Sequence, residues 1–305
     1  MEAFFSGGNG MKGFFSAVAL ALLLSNGAAA QTNRTYAGVR AALQRVNKEH
    51  PATSLFTLDA SDSKEKILGL RIGNGPQKSL VVATHHGNEY GSTEIALAFA
   101  EAAAADPLPS QTVFVIPVLN ITGYDARTRS ERDARGISRD PNRDYPGPCG
   151  SEGPFTLKST KSLADFVARE HIVNSATLHT SFPTVVYPWG IATRDLDTDY
   201  TETFAKLAAF ATEESHYQIG NSTAVMYPAD GAFEDYAFWK HGVWSMLFEL
   251  GYSHSPSDRD IETMVRINVP GIRRMLLNSP ILPAAQHEFT GSCDHRMNAL
   301  DRHDE

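Results

Sequence analysis

The run Leu80-Val81-Val82-Ala83-Thr84-His85-His86-Gly87-Asn88-Glu89-Tyr90-Gly91 constrains this chain more than any other stretch. Its apolar first half makes a strand that stops at histidine. A glycine-bearing turn follows, and then a helix-like run from Ser92 to Ala105. Open α/β sheets present their chemistry in this way, at strand ends. His86 and Glu89 are three positions apart, so a single turn can aim an imidazole and a carboxylate at one point. A catalytic metal site needs three protein ligands and an open position. The third should be a His or carboxylate distant in sequence and also at a strand end, and His179 in Ser175-Ala176-Thr177-Leu178-His179-Thr180 fits.

The rest of the pattern supplies such a sheet. Apolar spacing predicts helices over Tyr36–Lys48, Ser162–His171, Asp197–Glu214, Ala232–His241 and Asp258–Leu277. Strands are predicted around Leu55–Leu58, Lys66–Ile72, Leu80–Thr84, Thr177–Leu178, Thr184–Tyr187 and Val243–Leu250. Thr112–Leu119 is a continuous apolar run bounded by turn residues, as a strand buried on both faces requires. Residues 120–155 are rich in Arg, Asp, Gly and Pro with no apolar period, and a loop this long inside a compact domain is usually functional. Alternating strands and helices predict one α/β domain, a mixed central sheet flanked by helices, over residues 31–305. The polar tail 286–305 is expected to be loosely held.

Residues 1–30 read as a secretory signal: Lys12, an apolar stretch from Phe14 to Leu24, then Ser25-Asn26-Gly27-Ala28-Ala29-Ala30. That stretch is shorter than the roughly 20 residues that span a bilayer, and no other run approaches that length. The expectation is a secreted or periplasmic protein with no membrane span after cleavage. Of 305 residues 42% are hydrophobic, enough for one large core, and the net charge of −8 carries no basic footprint for nucleic acid. The two cysteines, Cys149 and Cys293, would meet an oxidising compartment, either bridged or as two thiols.

With His86, Glu89 and His179 in place, the chain resembles the M14 zinc carboxypeptidases, relatives of pancreatic carboxypeptidase A. Further points carry the resemblance. Glu249 ends the apolar run Ser245-Met246-Leu247-Phe248-Glu249-Leu250, where a carboxylate is costly unless it has work to do. Tyr227, in Met226-Tyr227-Pro228-Ala229-Asp230-Gly231, precedes Glu249 at the separation found in the family between a mobile substrate-capping Tyr and the base. Asp140-Pro141-Asn142-Arg143-Asp144-Tyr145 is similar to the family's Asn-Arg pair, and Tyr187-Pro188-Trp189-Gly190 to its Tyr-Pro-Tyr/Phe-Gly. Thr180-Ser181 departs from the Ser-Tyr usual in animal enzymes.

The resemblance implies one Zn²⁺ on His86, Glu89 and His179, with Glu249 as the general base that passes the water's proton to the leaving amine. It implies that Asn142, Arg143 and Tyr227 hold a free terminal carboxylate, a task for which a planar guanidinium is suited. The carbonyl-polarising Arg must lie among Arg127, Arg129, Arg132 and Arg135; Arg132 is favoured and Arg129 is second. Glu234 falls near the residue that floors the family's specificity pocket, where an acid would favour a basic terminal side chain; a helix-surface Glu is the alternative. The expected activity is that of a monomeric carboxypeptidase acting on peptides with a free C-terminal carboxylate. A murein-peptide carboxypeptidase or amidase, or an N-acyl amino acid deacylase, would use the same fold, and a non-catalytic metal- or peptide-binding module is the alternative of another class.

Overall fold

The computed structural model describes residues 34–150, 154–191 and 197–293. The expected signal segment, residues 1–30, and the end of the tail, residues 294–305, lie outside the described residues. Helix α1 (Tyr36–Glu49) buries Tyr36, Val39, Leu43 and Val46 on one stripe, and the Thr35 hydroxyl caps its first turn. Strands β1 (Thr53–Thr57), β2 (Leu68–Ile72) and β3 (Gln77–Ala83) follow, then helix α2 (Tyr90–Ala105) and strand β4 (Gln111–Ile116). The region without an apolar period holds helix α3 (Ile121–Ala126), the short hairpin β5 (Glu131–Arg132) and β6 (Ser138–Arg139), and a 3-10 turn, Pro141–Arg143. Then come helix α4 (Lys158–Glu170), strands β7 (Asn174–His179) and β8 (Thr184–Tyr187), helix α5 (Thr201–Ala211) and strand β9 (Gln218–Asn221). Helices α6 (Ser222–Val225) and α7 (Phe233–His241), strand β10 (Trp244–Glu249) and helix α8 (Asp258–Asn278) complete the order.

Among the described residues eight strands form one mixed sheet, ordered β1-β2-β4-β3-β7-β10-β8-β9. Its centre, β4-β3-β7-β10, is parallel; β2 and β8 pair antiparallel with its outer strands, β1 pairs antiparallel with β2, and β9 parallel with β8. Parallel centres need cover on both faces, which is why β4 and β7 are buried at every residue. Helix α1 packs on α2, α2 on α8 and α8 on α5 as one layer, and α4 packs on α7 in the other. The small side chains of α2, with Ala96, Ala100, Ala103 and Ala104 all buried, let it lie close to the sheet and to α8.

The parallel centre also fixes where chemistry can sit. Glu249 lies level with His179 across β10 and β7, and Ala83 lies level with Leu178 across β3 and β7. The chain therefore emerges from three neighbouring strands at one edge of the sheet, each time beside a candidate site residue.

Two expectations are corrected here. The edge strand β9 was not foreseen, because Gln218 and Ile219 are exposed and no apolar alternation marks it. Residues 286–293 are tied down rather than loose: His287 Nδ1 bonds Trp239 O at 2.7 Å, the Trp189 indole donates to Thr290 Oγ1 at 3.1 Å, and Cys293 is bridged to Cys149.

Candidate active site

His86 and Glu89 sit on the turn between β3 and α2. Thr84 starts that turn with φ of 60°, an uncommon conformation for a branched residue, and its hydroxyl donates to Pro117 O at 3.0 Å. Gly87 is required by close approach, since a Cβ there would lie 1.9 Å from the backbone carbon of Gly123. Asn120 fastens the turn from the other side, donating to His85 O and Arg129 O at 3.1 and 3.3 Å. His85, beyond the end of β3, stacks its ring 5.5 Å from that of His179, and its Nε2 meets the Tyr145 hydroxyl at 3.0 Å.

The structure brings His86, Glu89 and His179 together in a buried cluster. His86 Nδ1 is 2.8 Å from Glu89 Oε1, His179 Nδ1 is 3.0 Å from Glu89 Oε2, and the two Nδ1 atoms are 3.2 Å apart. Donors arranged tetrahedrally around one zinc lie about 3.3 Å from each other. Two imidazole nitrogens and a carboxylate, converging at nearly that spacing, fit such an ion and leave a fourth position free.

Asp140 orients the first ligand. Its Oδ1 lies 3.0 Å from His86 Nε2, so it accepts the proton on that nitrogen and leaves Nδ1 facing the cluster. Its Oδ2 accepts from Arg129 Nε and Nη2 at 3.0 and 2.9 Å. Desolvation alone would raise both carboxyls, but the charges of His86 and Arg143 hold Asp140 well below its ordinary range, and His86 and His179 hold Glu89 far down. Asp140 is a site residue that sequence reasoning quoted but gave no role; a carboxylate two places before the Asn-Arg pair was the available signal.

A cavity of about 340 Å³ opens over this cluster. Glu249 lines it, with Oε2 buried and without a hydrogen-bond partner. Desolvation, then the neighbouring Glu89 charge, pushes its carboxyl well up. Asn142, Arg143 and Tyr227 line the same cavity. Asn142 Oδ1 accepts from Phe233 N at 2.9 Å, which anchors it to α7, and the Arg143 guanidinium lies 5.9 Å from the centre of the Tyr227 ring. Tyr227 is 48% exposed, so its side chain stands at the rim.

The favoured arginine is corrected. Arg132 is exposed on the hairpin and donates to Gly136 O at 3.0 Å, outside the cavity. Arg129 lines the cavity instead, with Nη1 4.0 Å from Glu89 Oε1. Glu234 is not a helix-surface residue: it is 4% exposed, lines the cavity, and its Oε2 has no hydrogen-bond partner. Burial raises its carboxyl above the ordinary value.

The fold is a mixed α/β sheet, and at its strand ends two histidines and a glutamate form a buried cluster that can hold a metal ion. The family of zinc carboxypeptidases matches residues 39–271, and the chain belongs to it. It is 28% identical over 167 residues to carboxypeptidase A2 of Rattus norvegicus, a match covering 45% of this chain and 40% of that protein. The chain thus spans well under two thirds of that relative's length. Among solved structures it resembles bovine thrombin-activatable fibrinolysis inhibitor in complex with tick carboxypeptidase inhibitor, with a TM-score of 0.71, 19% identity, and coverage of 79% of this chain and 95% of the other. It also resembles murein-tripeptide amidase MpaA from Escherichia coli O157, with a TM-score of 0.52, 15% identity, and coverage of 74% and 93%. At those identities the likeness is one of fold.

Proposed function

We propose that this chain is an exported, monomeric zinc carboxypeptidase that hydrolyses the last peptide bond of a peptide and prefers a cationic C-terminal side chain. The observation that carries this reading is one cavity that joins the ligand trio to a strand-end carboxylate, an Asn-Arg pair and a buried Glu234 whose Oε2 is unsatisfied. Zinc held by His86, Glu89 and His179 would supply Lewis acidity and a water of lowered pKa. Glu249 takes a proton from the attacking water and returns it to the leaving amine. Arg129 faces the carbonyl oxygen as negative charge develops on it. Arg143 holds the terminal carboxylate through paired N–H donors, Asn142 adds its amide, and Tyr227 closes from the rim.

Glu234 selects the side chain. Its buried carboxylate lines the same cavity as Val186, Met226 and Leu247 with one oxygen unsatisfied, which is costly, and a Lys or Arg reaching it would satisfy that oxygen. Export rests on the signal-like residues 1–30. Among the described residues no helix is long and apolar enough to cross a membrane. A murein stem peptide is the second substrate reading, because the Asn-Arg pair would hold its α-carboxylate equally well and one structural neighbour is a murein-tripeptide amidase.

The test is release of free amino acid from peptides ending in Lys, Arg, Phe or Ala, and from a murein tripeptide, with and without chelator. The expected result is chelator-sensitive release, fastest from Lys and Arg and reduced on the order of 10²-fold or more in Glu249→Gln. Glu234→Ala should lose the preference for Lys and Arg. Release from the murein peptide alone would move the substrate assignment there, and cleavage only of acylated amino acids would indicate a deacylase. Zinc binding with no turnover of any substrate would leave a binding module.

A further inference from the structure

His254 lines the cavity, and the reaction as derived does not use it. It lies on the turn between β10 and α8, five residues beyond Glu249, where no motif of the sequence points. The turn is pinned at both ends. Gly251 has φ of 68°, and its N–H donates to the Tyr217 hydroxyl at 3.0 Å. Beyond His254, Pro256 O accepts from the Tyr90 hydroxyl at 2.7 Å, which fastens the turn to the start of α2. Between these anchors Tyr252 is 89% exposed, and His254, with its side chain 49% exposed, lines the cavity.

Inward, His254 Nδ1 lies 3.3 Å from Thr180 Oγ1 and 4.0 Å from Glu89 Oε1. Thr180 is buried, and its backbone N–H is already given to Glu89 Oε2 at 3.1 Å. With the Thr180 hydroxyl donating to Nδ1, the ring proton resides on Nε2. His254 then carries an N–H donor on a ring that lines the cavity.

The side on which this donor stands identifies its use. Asn142 is bound to α7, in the helix layer of α4, and Glu234 belongs to α7 itself. The His254 turn is bound to α2 and leads into α8, in the opposite layer. A substrate whose terminal carboxylate and last side chain lie toward α7 must carry the rest of its chain past the metal ligands toward α2. Phe182, 49% exposed, gives an apolar surface to the cavity beside Thr180.

We propose that His254, held by Thr180, is a positioning residue that hydrogen-bonds the peptide backbone upstream of the scissile bond, so that the enzyme favours longer peptides over minimal ones. The inference rests on the carboxypeptidase reading. It assigns a role to Thr180, one of the two positions at which this chain departs from the family's Ser-Tyr.

The experiment uses the full zinc-loaded chain and blocked peptides that share one C-terminal Lys and carry one, two or three residues before it. The readout is kcat/KM for the longest substrate divided by that for the shortest. This ratio should exceed one in the wild type and fall about tenfold in His254→Ala, the scale of one lost hydrogen bond. His254→Gln, which keeps an N–H donor, should retain part of it, and Thr180→Val should lower it in the same direction. Zinc affinity, measured by chelator competition, should stay at the wild-type value in His254→Ala and confirm that the variant is folded. An unchanged ratio overturns the proposal. An equal loss on all lengths with weakened zinc binding also overturns it and assigns His254 to the metal centre. If the wild type releases nothing from any free C-terminus, the carboxypeptidase reading itself fails and takes this inference with it.

Discussion

At the scale of single residues, the site shows how chemistry and position divide the work. The meeting of His86, Glu89, His179 and Glu249 at one cavity was legible because their residue types are rare at such places and their spacing is restrictive. The arginine was not, because Arg127, Arg129, Arg132 and Arg135 crowd one run. What separates them is the hairpin that begins after Ser130, which turns Arg132 outward and leaves Arg129 against Asp140 and the cavity. Arg129→Ala should therefore lower kcat on the order of 10²-fold, the cost of one lost donor to a developing oxyanion. Arg132→Ala should stay within about twofold of wild type, since a surface residue of this kind carries little. Steady-state kinetics on one peptide settles the pair. Zinc affinity measured alongside separates the loss of polarisation in Arg129→Ala from a disturbed Asp140–His86 contact. A large loss in Arg132→Ala with little in Arg129→Ala would return the assignment to Arg132.

At the scale of elements, the strands of the buried centre were the most readable. Thr112–Leu119 and Val243–Leu250 are mostly apolar, and the observed β4 and β10 fall inside or within one residue of them because both faces are covered. Helix α4 begins at Lys158, earlier than its apolar spacing suggested, because its first turn is Lys158-Ser159-Thr160. That turn is fastened by polar bonds, with Asp144 Oδ2 accepting from Leu157 N at 3.0 Å and from the Thr160 hydroxyl at 2.5 Å. The β5–β6 hairpin was unreadable for the same reason: side chains bonding to backbone, not apolar period, give it shape. Yet it carries Arg129 at one end and Asp140 at the other. Its Glu131 is fully buried, with Oε2 accepting from the Ser159 hydroxyl at 2.5 Å and Oε1 left without a partner. Burial, with Asp62 and Asp144 nearby, pushes its carboxyl from an ordinary 4.5 to about 8. A folded value above the unfolded one means stability that is fully present below about pH 4.5 and lost as pH rises through about 8. The contribution is on the order of a few kcal/mol. Chemical denaturation of the zinc-loaded protein between pH 5 and pH 9 should show wild-type stability falling relative to Glu131→Gln. Parallel curves for the two proteins would mean that Glu131 ionises freely in the folded state.

At the scale of the whole molecule, the order of the strands and the path of the C-terminal segment could not be read from local pattern, since both are set by contacts between residues far apart. The segment after α8 runs back along the sheet's other end. Leu282 O accepts from the Trp244 indole at 2.9 Å, and Ala284 N donates to Gly242 O at 2.8 Å. The Phe289 ring then meets Trp189 edge-on at 5.3 Å, beside Gly190, whose N–H Asp235 of α7 receives at 3.0 and 3.1 Å. The Cys149–Cys293 bridge closes this path against the loop that follows Asn142 and Arg143. It joins residues 144 positions apart, and closing so long a loop removes about 4–5 kcal/mol of unfolded-state freedom in the chain-entropy description. The tail's own contacts persist without the bridge, so they do not replace this term; they only keep the native geometry the bridge requires. Changing both cysteines to serine should therefore lower the unfolding free energy by roughly 3–5 kcal/mol and leave the segment after Ser279 open to proteolysis. Guanidinium denaturation of the zinc-loaded wild type, with and without reductant, compared with the double variant, measures the first effect, and limited proteolysis the second. A double variant as stable and as resistant as the oxidised wild type would show that Trp189, Trp239 and Trp244 alone hold the segment in place.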